Sequence, residues 1–193
     1  MATNIIIAGV GGQGLILATK IIAEAADAAG IDVKTNDVIG MSQRGGKVWG
    51  SVKLGEKVFS PNVNQGEADL LIAFELLEAK RFRKWLKKGD SAVVVNSYEM
   101  APTLVQQEKE EYDPDALESL KEYTEEIISI DATQAAQEVG SPKMANVVML
   151  GLAARYIKDI PEDVWVETIK KNVSEKLADL NEQAFRKAFR GEL

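Results

Sequence analysis

The clearest indication of fold class lies in residues 5–14, which read IIIAGVGGQG. The four leading apolar residues are typical of a central strand that is buried on both faces of a parallel sheet. Gly9, Gly11 and Gly14 follow with the G-x-G-x-x-G spacing, and residues 15–29 carry small and apolar side chains at helical intervals. This stretch therefore predicts a strand, a tight glycine turn and the start of a helix.

The rest of the chain alternates between strand and helix patterns. Residues 33–39 are expected to form a second strand, and residues 48–59 an antiparallel hairpin that interrupts the alternation. Further strands are predicted at residues 68–73, 91–95 and 127–130, and helices at residues 75–88, 113–123, 132–139 and 145–157. We therefore expect one α/β domain over residues 1–193, with a Rossmann-like, doubly wound and mostly parallel sheet and a helical C-terminal tail from about residue 160.

The composition excludes several kinds of chemistry. The chain has 193 residues, of which 46% are apolar and 27% charged, so it can bury a substantial core. It contains no cysteine and no histidine. Without thiol and imidazole groups it cannot by itself hold a cysteine-ligated iron–sulfur cluster or a Cys/His zinc site, or form a Ser-His-Asp triad. We predict no metal-binding and no catalytic residue in this chain.

Charge and hydropathy bear on location and partners. The N-terminal residues have no basic segment, and no apolar run reaches the roughly 18 residues that a membrane helix needs. The net charge is −7, and nucleic-acid-binding proteins instead concentrate positive charge. We expect a cytoplasmic protein with neither a membrane nor a nucleic-acid partner.

The glycine turn is the first candidate ligand site. Glycines at this position let backbone N–H groups approach the phosphate of a nucleotide or coenzyme, although they can also serve only for close packing. A nicotinamide cofactor would need an acidic residue at the end of the second strand, where Asp32 comes too early and Asp37 slightly late. A self-contained dehydrogenase is therefore disfavoured.

A second candidate site is the polar loop at residues 41–47, which reads MSQRGGK. Adjacent glycines beside an arginine, a hydroxyl and an amide make a loop rich in hydrogen-bond donors for phosphate or carboxylate oxygens. The loop follows the second strand, so we expect it on the same carboxyl edge of the sheet as the glycine turn. The alternative interpretation is a solvated connection into the hairpin.

Several motifs resemble one protein family. Residues 9–14 and 40–46, together with Phe59-Ser60-Pro61 and residues 145–151, are similar to the gamma-type domain of the pyruvate/2-oxoacid:ferredoxin oxidoreductases, in particular the branch acting on indolepyruvate. The similarity extends over essentially the whole chain, and Met-Ser-Gln-Arg-Gly-Gly is its most specific motif.

The resemblance implies a division of labour between subunits. In that family a large alpha subunit binds thiamine diphosphate and the iron–sulfur clusters, while a 2-oxoacid such as an aryl pyruvate is oxidatively decarboxylated to an acyl-CoA and ferredoxin takes the electrons. The present chain would be the subunit without these cofactors, inactive alone. It would help to seat coenzyme A through Gly9, Gly11, Gly12, Gln13, Gly14, Lys20, Ser42, Gln43, Arg44, Gly45 and Gly46. The alternative is a free-standing regulatory module that binds coenzyme A or a nucleotide.

Overall fold

A computed structural model describes residues 2–39, 46–99, 113 and 115–193. Within these residues six strands form one sheet: β1 (Thr3–Val10), β2 (Asp32–Ile39), β3 (Lys47–Gly55), β4 (Leu70–Ala73), β5 (Ala92–Asn96) and β6 (Glu126–Ile130). The helices are α1 (Leu15–Ala28), α2 (Leu76–Phe82), α3 (Ala132–Val139), α4 (Ala145–Ala154), α5 (Glu162–Asn172) and α6 (Ala178–Arg190). Short 3₁₀ turns occur at Arg83–Trp85, Glu118–Leu120, Pro142–Met144 and Glu175–Leu177.

The strand order is β2-β3-β1-β4-β5-β6. β1, β4, β5 and β6 pair in parallel, whereas β3 pairs antiparallel with both β1 and β2. The antiparallel element is therefore not a hairpin over residues 48–59 but β3 itself, which lies inside the sheet between β1 and β2, the two strands that α1 connects. The doubly wound α/β fold, with its antiparallel element and helical C-terminus, is confirmed.

The core consists of two layers, one on each face of the sheet. Ile5 and Ile7 pack with α1 and with the C-terminal helices α3 to α6, whereas Ile6 and Ala8 pack with α2 and its 3₁₀ extension. All four of these β1 side chains are fully buried. The wholly apolar run at residues 5–8 is thus explained by a strand with helices on both sides.

Three local predictions were wrong. The short strand expected near Phe59 does not form, because the segment is held by side-chain bonds: the Asp32 carboxylate accepts from the Val58 N–H at 2.8 Å, and the Ser51 hydroxyl donates to the Pro61 carbonyl at 2.8 Å. The helix expected over residues 75–88 ends at Phe82 and continues as a single 3₁₀ turn.

The acidic helix expected from residue 113 is reduced, within the described residues, to turns and one 3₁₀ turn at Glu118–Leu120. Pro114, which was expected to start that helix, lies outside the described residues.

The C-terminal helices pack tightly, and ion pairs connect α5 and α6. A Cβ atom on Gly151 of α4 would lie 2.6 Å from the Ala188 Cβ of α6, so only glycine allows this approach. Arg186 of α6 pairs with Glu162 and Asp163 of α5 and with Glu182 of its own helix.

In the part of the chain that the structure describes, no helix is long and apolar enough to cross a membrane.

Candidate functional site

The sheet changes winding direction between β1 and β4. The two strands are parallel neighbours, but α1 leaves β1 toward one face and α2 leaves β4 toward the other. Such a change of direction opens a crevice at the carboxyl ends of the strands, where doubly wound folds bind ligands. The glycine turn after β1 lies at this crevice.

Gly9, Gly12 and Gly14 each meet a separate requirement of the turn. A Cβ atom on Gly9 would lie 2.9 Å from the Phe74 Cβ, so this position needs close packing against the residue after β4. Gly12 and Gly14 have φ angles of 102° and 84°, which favour glycine. Among the described residues nothing lies within 4 Å of a Cβ on Gly12, whereas a Cβ on Gly14 would meet the Asn146 side chain at 2.8 Å. Of these three glycines, Gly12 therefore combines a positive φ with room beside it in the described part of the chain.

Gln13 links the two strands across the crevice. Its side-chain oxygen accepts a hydrogen bond from the Val10 N–H at 2.7 Å, and its Nε2 donates to the Phe74 carbonyl at 2.8 Å. The family resemblance implies that Gln13 is among the ligand contacts, and the structure shows in addition that its side chain holds the turn in place. Contact with a ligand by Gln13 stays a prediction.

Among the residues that the structure describes, no side chain caps the N-terminus of α1. Gly14 at the N-cap has no side chain, and the first turn holds no acidic residue. Within the described residues, no acceptor is found for the N–H groups of Leu15, Ile16 and Leu17. Unpaired N–H groups and the positive end of the helix dipole together favour an anion at this point.

A groove of about 500 Å³ opens at the same helix end. Its walls are mainly apolar, and they include Ile16, which is 51% exposed although it is a large hydrophobic residue. Lys20 is the one cation among the described residues that line the groove, and its ammonium lies 3.5 Å from the Glu24 carboxylate. The groove thus combines an anion-binding end with apolar walls, lined by Val10, Gly11, Gly12, Gly14, Leu15, Ile16, Leu17, Lys20 and Val48.

Four of the predicted site residues, Ser42, Gln43, Arg44 and Gly45, lie outside the described residues. The ends of their loop are nevertheless placed, because β3 begins at Lys47 opposite Val10, the last residue of β1. Gly46 is also part of this edge, since its carbonyl accepts from the Gly11 N–H at 2.9 Å. The loop therefore returns to the sheet at the carboxyl end of β1, next to the glycine turn.

Two buried carboxylates form the other side of the crevice, and sequence reasoning missed them. Glu75 and Glu78 are both fully buried, and Glu75 caps α2 by accepting from the Glu78 N–H at 3.1 Å. Burial raises the pKa of Glu78, and the nearby charges of Arg81 and Lys47 partly oppose that rise. The spacing of two glutamates directly after a buried strand resembles a capping box, which is the signal that could have revealed them.

Asn96 ends β5 on the same edge. Its side-chain oxygen accepts from the Ala132 N–H at 3.0 Å and from the Tyr98 N–H at 3.1 Å, so it binds loop backbone. Among the described residues, no group of three or more carboxylates could hold a metal ion. The features of this edge that favour an anion therefore lie at the N-terminus of α1, whereas the buried carboxylates of Glu75 and Glu78 lie at α2.

Comparisons with known proteins agree on one family. Residues 4–191 match the family model for pyruvate ferredoxin/flavodoxin oxidoreductase. The chain is 34% identical over 193 residues to the indolepyruvate oxidoreductase subunit IorB of Archaeoglobus fulgidus, with 98% of this chain and 94% of that protein covered.

Two solved structures share the fold. One is the gamma subunit of a keto/oxoacid ferredoxin oxidoreductase from Geobacter sulfurreducens, with a TM-score of 0.73, 25% identity and coverage of 97% of this chain and 96% of that chain. The other is a 2-oxoglutarate:ferredoxin oxidoreductase from Magnetococcus marinus, solved with 2-oxoglutarate, coenzyme A and succinyl-CoA bound. It has a TM-score of 0.74 and 24% identity, and the match covers 100% of this chain but 31% of that chain. On the family match and the whole-length identity, the chain belongs to the pyruvate ferredoxin/flavodoxin oxidoreductase family.

Proposed function

We propose that the chain is the subunit of a 2-oxoacid:ferredoxin oxidoreductase that carries no redox cofactor and helps to seat coenzyme A, with indolepyruvate or another aryl pyruvate as substrate. Thiamine diphosphate and the iron–sulfur clusters belong to a large partner subunit, through which ferredoxin is reduced. The absence of cysteine and histidine supports this division, since this chain lacks the usual cluster ligands. Likeness to an indolepyruvate oxidoreductase subunit supports the substrate class.

The observation that carries the coenzyme A role is the uncapped N-terminus of α1 at the mouth of an apolar groove. Coenzyme A joins a pyrophosphate and a 3′-phosphate to a long uncharged arm. In this proposal the N–H groups of Leu15 and Ile16 donate to a phosphate, and the backbone at Gly12 allows its close approach. The apolar walls suit the arm, and Lys20 adds a counter-charge.

The relatives are consistent with this assignment. The Magnetococcus marinus enzyme, which contains a region with the fold of this chain, was solved with coenzyme A bound. In the proposed complex the residues of this chain bind and orient the coenzyme. We assign them no proton transfer and no bond-making step.

Assembly of the complex tests the proposal. We expect co-expression with a candidate large subunit to give a stable complex that reduces a dye only when an aryl pyruvate and coenzyme A are both present. Two chains that never co-purify would overturn the proposal. Tight binding of coenzyme A or NAD by the chain alone, without a partner, would instead favour a free-standing regulatory module.

Single substitutions test which residues form the proposed coenzyme A site. Lys20→Gln should raise the KM for coenzyme A about two- to fivefold, the size expected for an exposed charge pair with a phosphate. Lys121→Gln is the matched control, because Lys121 is similarly exposed and also pairs with a glutamate of its own segment, but it lies far from the groove. Arg44→Ala should raise the same KM without affecting subunit assembly. If the KM for coenzyme A is unchanged in either variant, the substituted residue is not part of the coenzyme A site.

A further inference from the structure

The sheet ends in a long edge strand at β2. This strand has eight residues, and within the described part of the chain β3 is its only neighbour in the sheet. An edge strand of this length presents a row of main-chain N–H and C=O groups to solvent, and natural proteins usually cover or blunt such edges. On this strand the exposed residues include Lys34 and Thr35.

A groove of about 350 Å³ adjoins β2 on the α2 side of the sheet. Trp49 and Trp85 form part of its wall, with ring centroids 6.4 Å apart, and both rings pack against Phe82 in tilted arrangements. The other lining residues carry no charge. In the described residues, the side-chain amides of Asn36 and Gln65 have no hydrogen-bond partner, so the groove offers aromatic faces and free amide groups.

An exposed aromatic residue completes this side of the molecule. Phe59 is 85% exposed, the largest exposure among the large hydrophobic residues that the structure describes. It is held next to the start of β2, because the neighbouring Val58 N–H donates to the Asp32 carboxylate at 2.8 Å. The Lys57 ammonium lies 5.3 Å from the centre of its ring.

We infer that this β2-side surface, made of the outer edge of β2, the Trp49–Trp85 groove and Phe59, is where the large partner subunit docks. The inference rests on the proposed function. A polypeptide is the occupant that fits, because extended backbone can pair with a strand edge and with free amide groups while an aromatic anchor packs into the partner.

The occupant is a different chain and not a second copy of this one. In the Magnetococcus marinus enzyme the same fold is about a third of one longer chain, whereas this chain spans nearly the full length of its subunit relative. The domains that are covalently joined there must therefore meet this chain as a separate subunit. Each copy also carries a net charge of −7, which opposes self-association.

Hydrogen–deuterium exchange on the assembled complex and on the chain alone tests the inference. We expect slower exchange in the complex at β2 and at residues 56–66. Phe59→Ser and Gln65→Glu should each raise the dissociation constant of the complex by about tenfold, since interface anchors and uncharged grooves tolerate such changes poorly. Leu177→Ser and Gln137→Glu are the matched controls, because both residues are exposed on helical surfaces away from this region.

The outcomes separate this inference from the proposed function. Docking at this surface is supported by three results together. The complex forms, β2 exchanges more slowly in it than in the chain alone, and Phe59→Ser and Gln65→Glu weaken it while the two control variants do not. A complex with full activity whose protected segments lie elsewhere, and whose affinity Phe59→Ser leaves unchanged, overturns the docking site but not the function. Protection of β2 through self-association of the chain alone overturns the choice of partner. Failure of any large subunit to bind overturns the function and the inference together.

Discussion

Replacing Gln13 by alanine should destabilise the isolated chain, because its side chain connects β1 to β4 across the crevice. The change removes the acceptor of the Val10 N–H and the donor to the Phe74 carbonyl, at 2.7 Å and 2.8 Å. Val10 is 1% exposed, so its N–H would be left without solvent as well. Two lost hydrogen bonds and one buried unpaired donor together cost about 2–3 kcal/mol. For a chain of this length, that lowers the melting temperature by about 5–10 °C.

Thermal unfolding of the isolated chain, without coenzyme A, measures this effect. Gln13→Glu should be destabilised at neutral pH too, because a carboxylate can still accept from Val10 but cannot donate to Phe74. The loss of stability in Gln13→Glu should be smaller at acidic pH, since protonation of the glutamate restores a donor to the Phe74 carbonyl. Gln137→Ala, at an exposed glutamine of α3, is the control that should leave stability unchanged. If Gln13→Ala unfolds within about 1 °C of the wild type and weakens only coenzyme A binding, the structural role assigned to this side chain is refuted.

Three further predictions concern other parts of the fold. Gly151→Ala should cost about 1–3 kcal/mol in denaturant unfolding, because the added Cβ would meet the Ala188 Cβ at 2.6 Å; unchanged stability would mean that α4 and α6 pack less closely. Burial raises the pKa of Glu78 in the folded chain, so wild-type stability falls as pH rises from the unfolded value toward the folded one. Glu78→Gln should therefore gain stability relative to the wild type as the pH rises above the ordinary glutamate pKa, and a stability difference that stays constant with pH would contradict the raised pKa. Arg186→Met should cost about 1 kcal/mol at low salt and less at high salt, because partly exposed ion pairs between α5 and α6 are screened.

Local patterns predicted the parts of the fold that depend on neighbouring residues. The strand at Thr3–Val10, the glycine turn and the helix from Leu15 follow from β-branched residues, glycines and a helical repeat in one short stretch. The same holds for α3, whose expected bounds of 132–139 agree with the structure. In these segments the side chains that determine the structure are near each other in sequence.

Features that depend on distant residues could not be predicted in this way. The position of β3 between β1 and β2 depends on which strands pair with each other, and the alternation of hydrophobic residues along a strand does not determine its partners. The segment around Phe59 has strand-like residues, yet bonds to Asp32 and Ser51 hold it out of the sheet.

The same limit applies to the site. The glycine pattern located the end of α1 at which we propose coenzyme A binding, but the bond from Gln13 to Phe74 spans 61 positions of the chain.

The central claim, that the glycine turn of this chain seats coenzyme A in the assembled enzyme, is tested most directly by comparing two glycine substitutions. Gly12 and Gly66 have φ angles of 102° and 81°, and a Cβ atom at either would meet no described residue within 4 Å, so alanine strains the backbone at both without a side-chain clash in the described structure. The measurement is the KM for coenzyme A of the complex carrying each variant. We predict a rise of about tenfold for Gly12→Ala, because its Cβ keeps a phosphate from the backbone, and no rise for Gly66→Ala. Equal KM values for the two variants would contradict the claim.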